Sequence, residues 1–89
     1  MRSTRQWVDV GSEVVVGQSR SCGVSIPSDS RLSPTHCRVE RTPEGYVLTD
    51  QESANGTVVN GQKVTRFVLH GGEVIMVGRT VLRFRLEGA

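Results

Sequence analysis

The sequence predicts an all-β fold, a two-sheet β-sandwich of about ten short, mainly antiparallel strands, and three observations carry that prediction. Apolar residues fall in short runs separated by turn signals every several residues, with no stretch at helical period. The apolar content, 36%, is dominated by Val, and β-branched side chains pack well on a pleated surface. Glycine occupies 10 positions, which suits many tight turns. At 89 residues the chain makes one domain with a thin core, burying about 60% of its unfolded surface.

The elements follow in order. Trp7 to Val10 reads as a first strand closed by Gly11-Ser12, and Val14 to Val16 as a second that stops at Gly17. Cys22 to Ile26 is a short strand ended by Pro27, which cannot donate to a ladder. Residues 27–35 (Pro-Ser-Asp-Ser-Arg-Leu-Ser-Pro-Thr) are a loop by composition. His36 to Glu40 and Tyr46 to Thr49 pair about the turn Thr42-Pro43-Glu44-Gly45. A polar stretch, Asp50 to Thr57, precedes Val58-Val59, Asn60-Gly61 and Gln62-Lys63-Val64. That is a two-residue hairpin, because both central residues of a type I′ turn need positive φ. Phe67 to Leu69 leads through Gly71-Gly72 to a final hairpin, Val74 to Val77 and Val81 to Leu86, about Gly78-Arg79. Alternation on the last strand places Leu82, Phe84 and Leu86 in the core and Arg83 and Arg85 in solvent.

Composition excludes several function classes. The net charge of +2 comes almost wholly from arginine, with Lys63 the only lysine, and it is spread rather than striped, which argues against a nucleic-acid partner. Arginine's planar fork does suit carboxylate and phosphate. Cys22 and Cys37 form no C-x-x-C pair, and neither they nor His36 and His70 have zinc-ligand spacing, so two free thiols in a reducing compartment are expected, with no metal and no cofactor. No apolar run could span a bilayer, so the expected location is cytoplasmic, without membrane insertion. His36 lacks a nucleophile or orienting carboxylate in motif spacing, and Asp50 and Glu73 sit in turn motifs and read as turn and solubility residues. No catalytic set emerges, and an enzyme is not expected.

The remaining motifs form a pattern. Val16-Gly17 is followed by Leu32-Ser33-x-x-His36, then by Asp50-x-x-Ser53-x-Asn55-Gly56-Thr57-x-x-Asn60-Gly61, then by Leu69-x-x-Gly72-Glu73-x-Ile75-x-x-Gly78 and a terminal Leu-x-Phe. In order and spacing, over about three quarters of the chain, this resembles the forkhead-associated (FHA) domain signature. The resemblance implies one FHA domain over residues 1–89, a module of a larger protein, folded as an eleven-stranded sandwich whose loops at one end bind phosphothreonine peptides. A phosphate with close to two charges needs several convergent donors, and loops at the end of a rigid sandwich are where recognition residues collect. The candidate phosphopeptide contacts are Gln18, Arg20, Arg31, Ser33, Thr35, Asn55 and Asn60. By resemblance, the Ser33 hydroxyl meets the phosphate and the Asn55 amide holds the peptide backbone, while Asn60 braces its turn or touches the peptide. Gly17, His36, Gly56 and Gly61 are structural, His36 fixing loop shape through hydrogen bonds. Asn55-Gly56 and Asn60-Gly61 would equally serve as turn formers in a chain that binds nothing.

The chain departs from the family pattern at the phosphate site. The family's Gly-Arg is Gly17-Gln18 here, the residue after the loop serine is Pro34 with no N–H, and the position before Asn55 is Ala54 where a hydroxyl is common. Arg20 and Arg31 are placed to compensate. The expected function is phosphothreonine-dependent protein–protein interaction in signalling. The alternative is a phosphate-independent scaffold, as in degenerate FHA domains of secretion-system rings. The family's first strand has only Met1 to Gln6 to draw on: either Ser3 to Gln6 supplies a stub of it, or an open edge invites self-association with another chain.

Overall fold

The computed structural model describes residues 2–3 and 6–86, with Arg2, Ser3 and Gln6 described through their backbone alone. Eleven strands are present among these residues: β1 (Arg2–Ser3), β2 (Gln6–Trp7), β3 (Glu13–Gly17), β4 (Val24–Ser25), β5 (Cys37–Thr42), β6 (Gly45–Asp50), β7 (Thr57–Val59), β8 (Gln62–Val64), β9 (Arg66–Leu69), β10 (Val74–Val77) and β11 (Thr80–Arg83). They form two sheets, one ordered β2-β1-β11-β10-β7-β8 and the other β4-β3-β5-β6-β9. Every pairing is antiparallel except β3 with β4. The sandwich expected from the turn spacing is the fold observed.

Strand alternation explains the core. Val14, Val16, Cys37, Val39 and Leu48 from one sheet meet Val59, Ile75, Val77 and Leu82 from the other. Each is buried, and full burial of such a side chain contributes about 1.5–3 kcal/mol. At the end of the core farther from the β3–β4 turn, the Tyr46 and Phe84 rings meet tilted, with centroids 5.4 Å apart. On the outer face of the second sheet Glu13 lies directly opposite Glu40, a like-charge pair that Arg38 relieves by reaching both carboxylates at 4.0 and 3.9 Å. The Asn60-Gly61 hairpin forms as predicted, with φ of 48° and 83° at its two central residues.

The structure corrects the sequence reading in four places. Trp7 to Val10 is not one strand: pairing ends at Trp7, and Val8 and Val10 pack against the core from irregular chain. Cys22 to Ile26 contributes only Val24 and Ser25 to a strand, because Cys22 closes a turn with its N–H on the Ser19 carbonyl. Leu86 is 41% exposed, since β11 ends at Arg83 and the chain beyond Phe84 runs out over Gly71. Glu73 is buried rather than a solubility residue, its carboxylate accepting the N–H groups of His70 and Gly71 at 2.7 and 2.8 Å. The stub of the first strand exists at Arg2–Ser3, pairs with β11 and covers that edge; Thr4 and Arg5, which the expected stub also included, lie outside the described residues.

Candidate functional site

Strand directions bring three loops to one end of the sandwich: residues 18–23 after β3, 26–36 between β4 and β5, and 51–56 between β6 and β7. The β10–β11 turn at Gly78-Arg79 joins them. Backbone hydrogen bonds zip the first loop to the second, with Gln18 N–H on Ser33 O at 3.0 Å and Ser19 N–H on Pro34 O at 3.1 Å. The zip requires Gly17, because a Cβ there would stand 2.0 Å from the Pro34 carbonyl oxygen.

His36 locks the second loop to the third. It is fully buried; its Nδ1 accepts the Ser33 N–H at 3.2 Å and its Nε2 lies 2.8 Å from Gly56 O. A ring nitrogen that accepts from an amide carries no proton, so the proton sits on Nε2 and is donated to Gly56. The imidazole is thus neutral and bound at both nitrogens, with no lone pair left for proton abstraction. Across the same gap the Ser33 hydroxyl oxygen accepts the Ala54 N–H at 3.0 Å, and Asn55 Nδ2 donates to Arg31 O at 2.8 Å. Ser33 therefore keeps its hydroxyl proton to donate to a ligand, and Asn55 keeps its amide oxygen and second N–H.

Two carboxylates brace these loops from behind. Asp50 accepts the hydroxyls of Ser53 and Thr57 at 2.6 and 2.7 Å and the Ser53 N–H at 3.2 Å. Ser53 Oγ in turn accepts the Gly56 N–H at 3.0 Å. Asp29 is buried and accepts Arg31 N–H at 3.0 Å, Arg79 N–H at 2.8 Å and the Thr80 hydroxyl at 2.7 Å, tying the β10–β11 turn to the second loop. Burial pushes both carboxyls up. The hydrogen bonds, with Arg79 also near Asp29, outweigh it and leave each below its usual value.

Gln18, Arg31, Ser33 and Asn55 are therefore brought together, with Arg20 and Thr35 exposed on the same loops. Gln18 Nε2 makes a long contact, 3.5 Å, to Pro27 O. Asn60 stands apart at the far end of β7, where its Oδ1 accepts the Val74 N–H at 3.0 Å and its own N–H meets Val74 O. Gly61 stands with it in that hairpin, whereas Gly17, His36 and Gly56 hold the loop end. Asp29 and Lys63 were not among the sequence candidates. Lys63 lies across Gly56: a Cβ on that residue would fall 2.3 Å from its Cε and 3.1 Å from its Nζ. Among the described residues no His, Cys, Asp and Glu side chains gather into a metal-holding group, and no helix is long and apolar enough to cross a membrane. A concavity of about 460 Å³ opens at the opposite end, between Trp7, Val10, Arg41, Tyr46 and Phe84, and includes none of the candidate residues.

Comparison with known proteins gives a consistent result. The family model described as FHA domain matches residues 14–78. The E3 ubiquitin-protein ligase CHFR of Danio rerio is 34% identical over 70 residues, which is 74% of this chain and 11% of that protein. The chain thus spans about a tenth of the length of the curated relatives it matches. Among solved structures, one from a study of phosphothreonine-dependent FHA domain interactions superposes with a TM-score of 0.80 at 26% identity, covering 88% of this chain and 80% of the other. The FHA-2 domain of a Mycobacterium tuberculosis ABC transporter superposes with a TM-score of 0.76 at 31% identity, covering 100% of this chain and 82% of that domain.

Proposed function

This chain belongs to the FHA domain family, and from that premise we propose that it binds phosphothreonine-containing segments of a partner protein through the loop end built by Ser33 and Asn55. The observation that carries the reading is the division of labour at Ser33. Its oxygen accepts the Ala54 N–H through one lone pair, which positions the hydroxyl and leaves its proton free to donate, as a phosphate oxygen requires. Arg31, whose carbonyl is held by Asn55, and Arg20 are exposed, and neither enters the ion pairs found among the described residues. Charge-assisted hydrogen bonds are about twice as strong as neutral ones, so these guanidiniums would supply the attraction that Gln18 does not.

A second reading, a phosphate-independent scaffold of the same fold, is favoured by Gln18 itself, which puts an uncharged side chain where the family pattern has arginine. Titration of fluorescein-labelled phosphothreonine, phosphoserine and unphosphorylated peptides into wild type and the Ser33→Ala, Arg31→Ala and Arg20→Ala variants separates the two. The proposal expects preference for phosphothreonine and its loss in Ser33→Ala. Equal binding of phosphorylated and unphosphorylated peptides by wild type would establish the scaffold reading instead.

A further inference from the structure

We propose that Lys63 is a specificity-determining residue of the loop end, selecting peptides that carry an acidic side chain beside the phosphothreonine. The inference deepens the phosphopeptide reading and rests on it. Lys63 is on β8, directly opposite Val58 of β7, and its side chain turns back along the strand pair onto Gly56. The contact depends on glycine: the stem occupies the volume that any Cβ at position 56 would need, with Cε 2.3 Å and Nζ 3.1 Å from that point. Gly56 is itself immobilised, its N–H on Ser53 Oγ and its carbonyl on His36. The stem therefore lies on a fixed floor. Its ammonium lies over Gly56, the residue that follows Asn55 in the third loop, and the Asn55 amide is tied to the second loop at Arg31.

The charge is also uncommitted. The ion pairs among the described residues use Arg38 and Arg66, and Lys63 enters none of them. The acid Asp50 already accepts three hydrogen bonds, two from Ser53 and one from Thr57. An ammonium whose stem lies over Gly56, with no carboxylate partner among the described residues, is complementary to an acidic side chain arriving on a ligand.

The test is a fluorescence-polarisation scan of phosphothreonine peptides in an alanine background, with Asp or Lys moved through each flanking position and an unphosphorylated control for each. Wild type is expected to favour Asp over Lys at one or two positions by about two- to fivefold, the range of an exposed ion pair. Lys63→Met, which keeps the stem on Gly56, should lose that preference, and Lys63→Glu should reverse it, both keeping phosphate discrimination. Phosphate discrimination with the same flanking profile in wild type, Lys63→Met and Lys63→Glu would overturn the role of Lys63 alone. Failure of wild type to distinguish phosphorylated from unphosphorylated peptides would overturn the parent reading, and this inference with it.

Discussion

Replacement of Asp29 by Asn tests the bracing of the loop end directly. The carboxylate presents two acceptor edges, Oδ1 to Arg31 N–H and Oδ2 to Arg79 N–H and the Thr80 hydroxyl. An amide has one acceptor edge, so its NH2 must face an N–H on one side whichever way it turns. Leaving that donor unpaired costs about 1–3 kcal/mol, and the surviving bonds, now to a neutral acceptor, fall from about 1.5–3 to about 1 kcal/mol each. The expected loss is about 2–5 kcal/mol out of a total near 5–15 kcal/mol. For a domain of this size that lowers the melting temperature by at least about 8 °C. The pH dependence has a definite sign. The folded-state pKa of Asp29 is lowered, so its contribution is complete above the unfolded carboxyl value, about 4, and disappears as pH falls through the folded value. Thermal melts should show the full gap between Asp29→Asn and wild type at pH 7 and a narrowing gap below about pH 4. A variant that melts within a degree or so of wild type at pH 7 would refute the bracing role.

Other perturbations report on other parts of the fold. Gly17→Ala places a Cβ against the Pro34 carbonyl, so the zip between the first two loops must open; urea denaturation should show a loss of about 2 kcal/mol or more, and an unchanged midpoint would mean the zip is dispensable. Burial, with the charge of Asp50, pushes the Cys37 thiol up to about 12, so iodoacetamide at pH 8 should leave Cys37 unmodified in the native protein and label it in urea. Rapid native labelling at Cys37, read by mass spectrometry, would contradict its burial in the core. Phe84→Ala removes a ring that is 2% exposed and packed at a tilt against Tyr46, an expected cost of about 3–5 kcal/mol by equilibrium unfolding.

What could be read from the sequence was what local chemistry decides. Asn60-Gly61 has to turn, and Leu82 and Phe84 must share a face, whatever surrounds them; both expectations match the structure. Loop chemistry around Ser33 and Asn55 was legible for the same reason: polar residues flanked by Pro and Gly cannot enter a ladder. The errors arose where a distant partner decides. Leu86 continues an alternation that the sheet itself does not continue, and Val8 and Val10 look like strand residues but lie beyond the end of β2. Asp29 was invisible because its partners Arg79 and Thr80 are 50 and 51 residues away. Lys63 was the recoverable case. The two-residue hairpin fixes Val58 opposite Lys63, and a long side chain on that diagonal reaches the glycine two residues before Val58.

The cross-links between the loops run largely through main-chain atoms: Ser33 O, Pro34 O, Arg31 O, Gly56 O and the Ala54 N–H. Ser33 Oγ and Asn55 Nδ2 serve shape and ligand alike, but the side chain of residue 18 takes no part in the zip, so its chemistry can change without the shape. A lineage of such domains could exchange the family's arginine for an uncharged side chain, as at Gln18, and still fold the same loop end, ready to regain that charge by a single codon change. For the engineer, Gln18→Arg is a graft that needs no loop redesign. The backbone of residue 18 is already fixed by Ser33, and only the side chain's chemistry would be new.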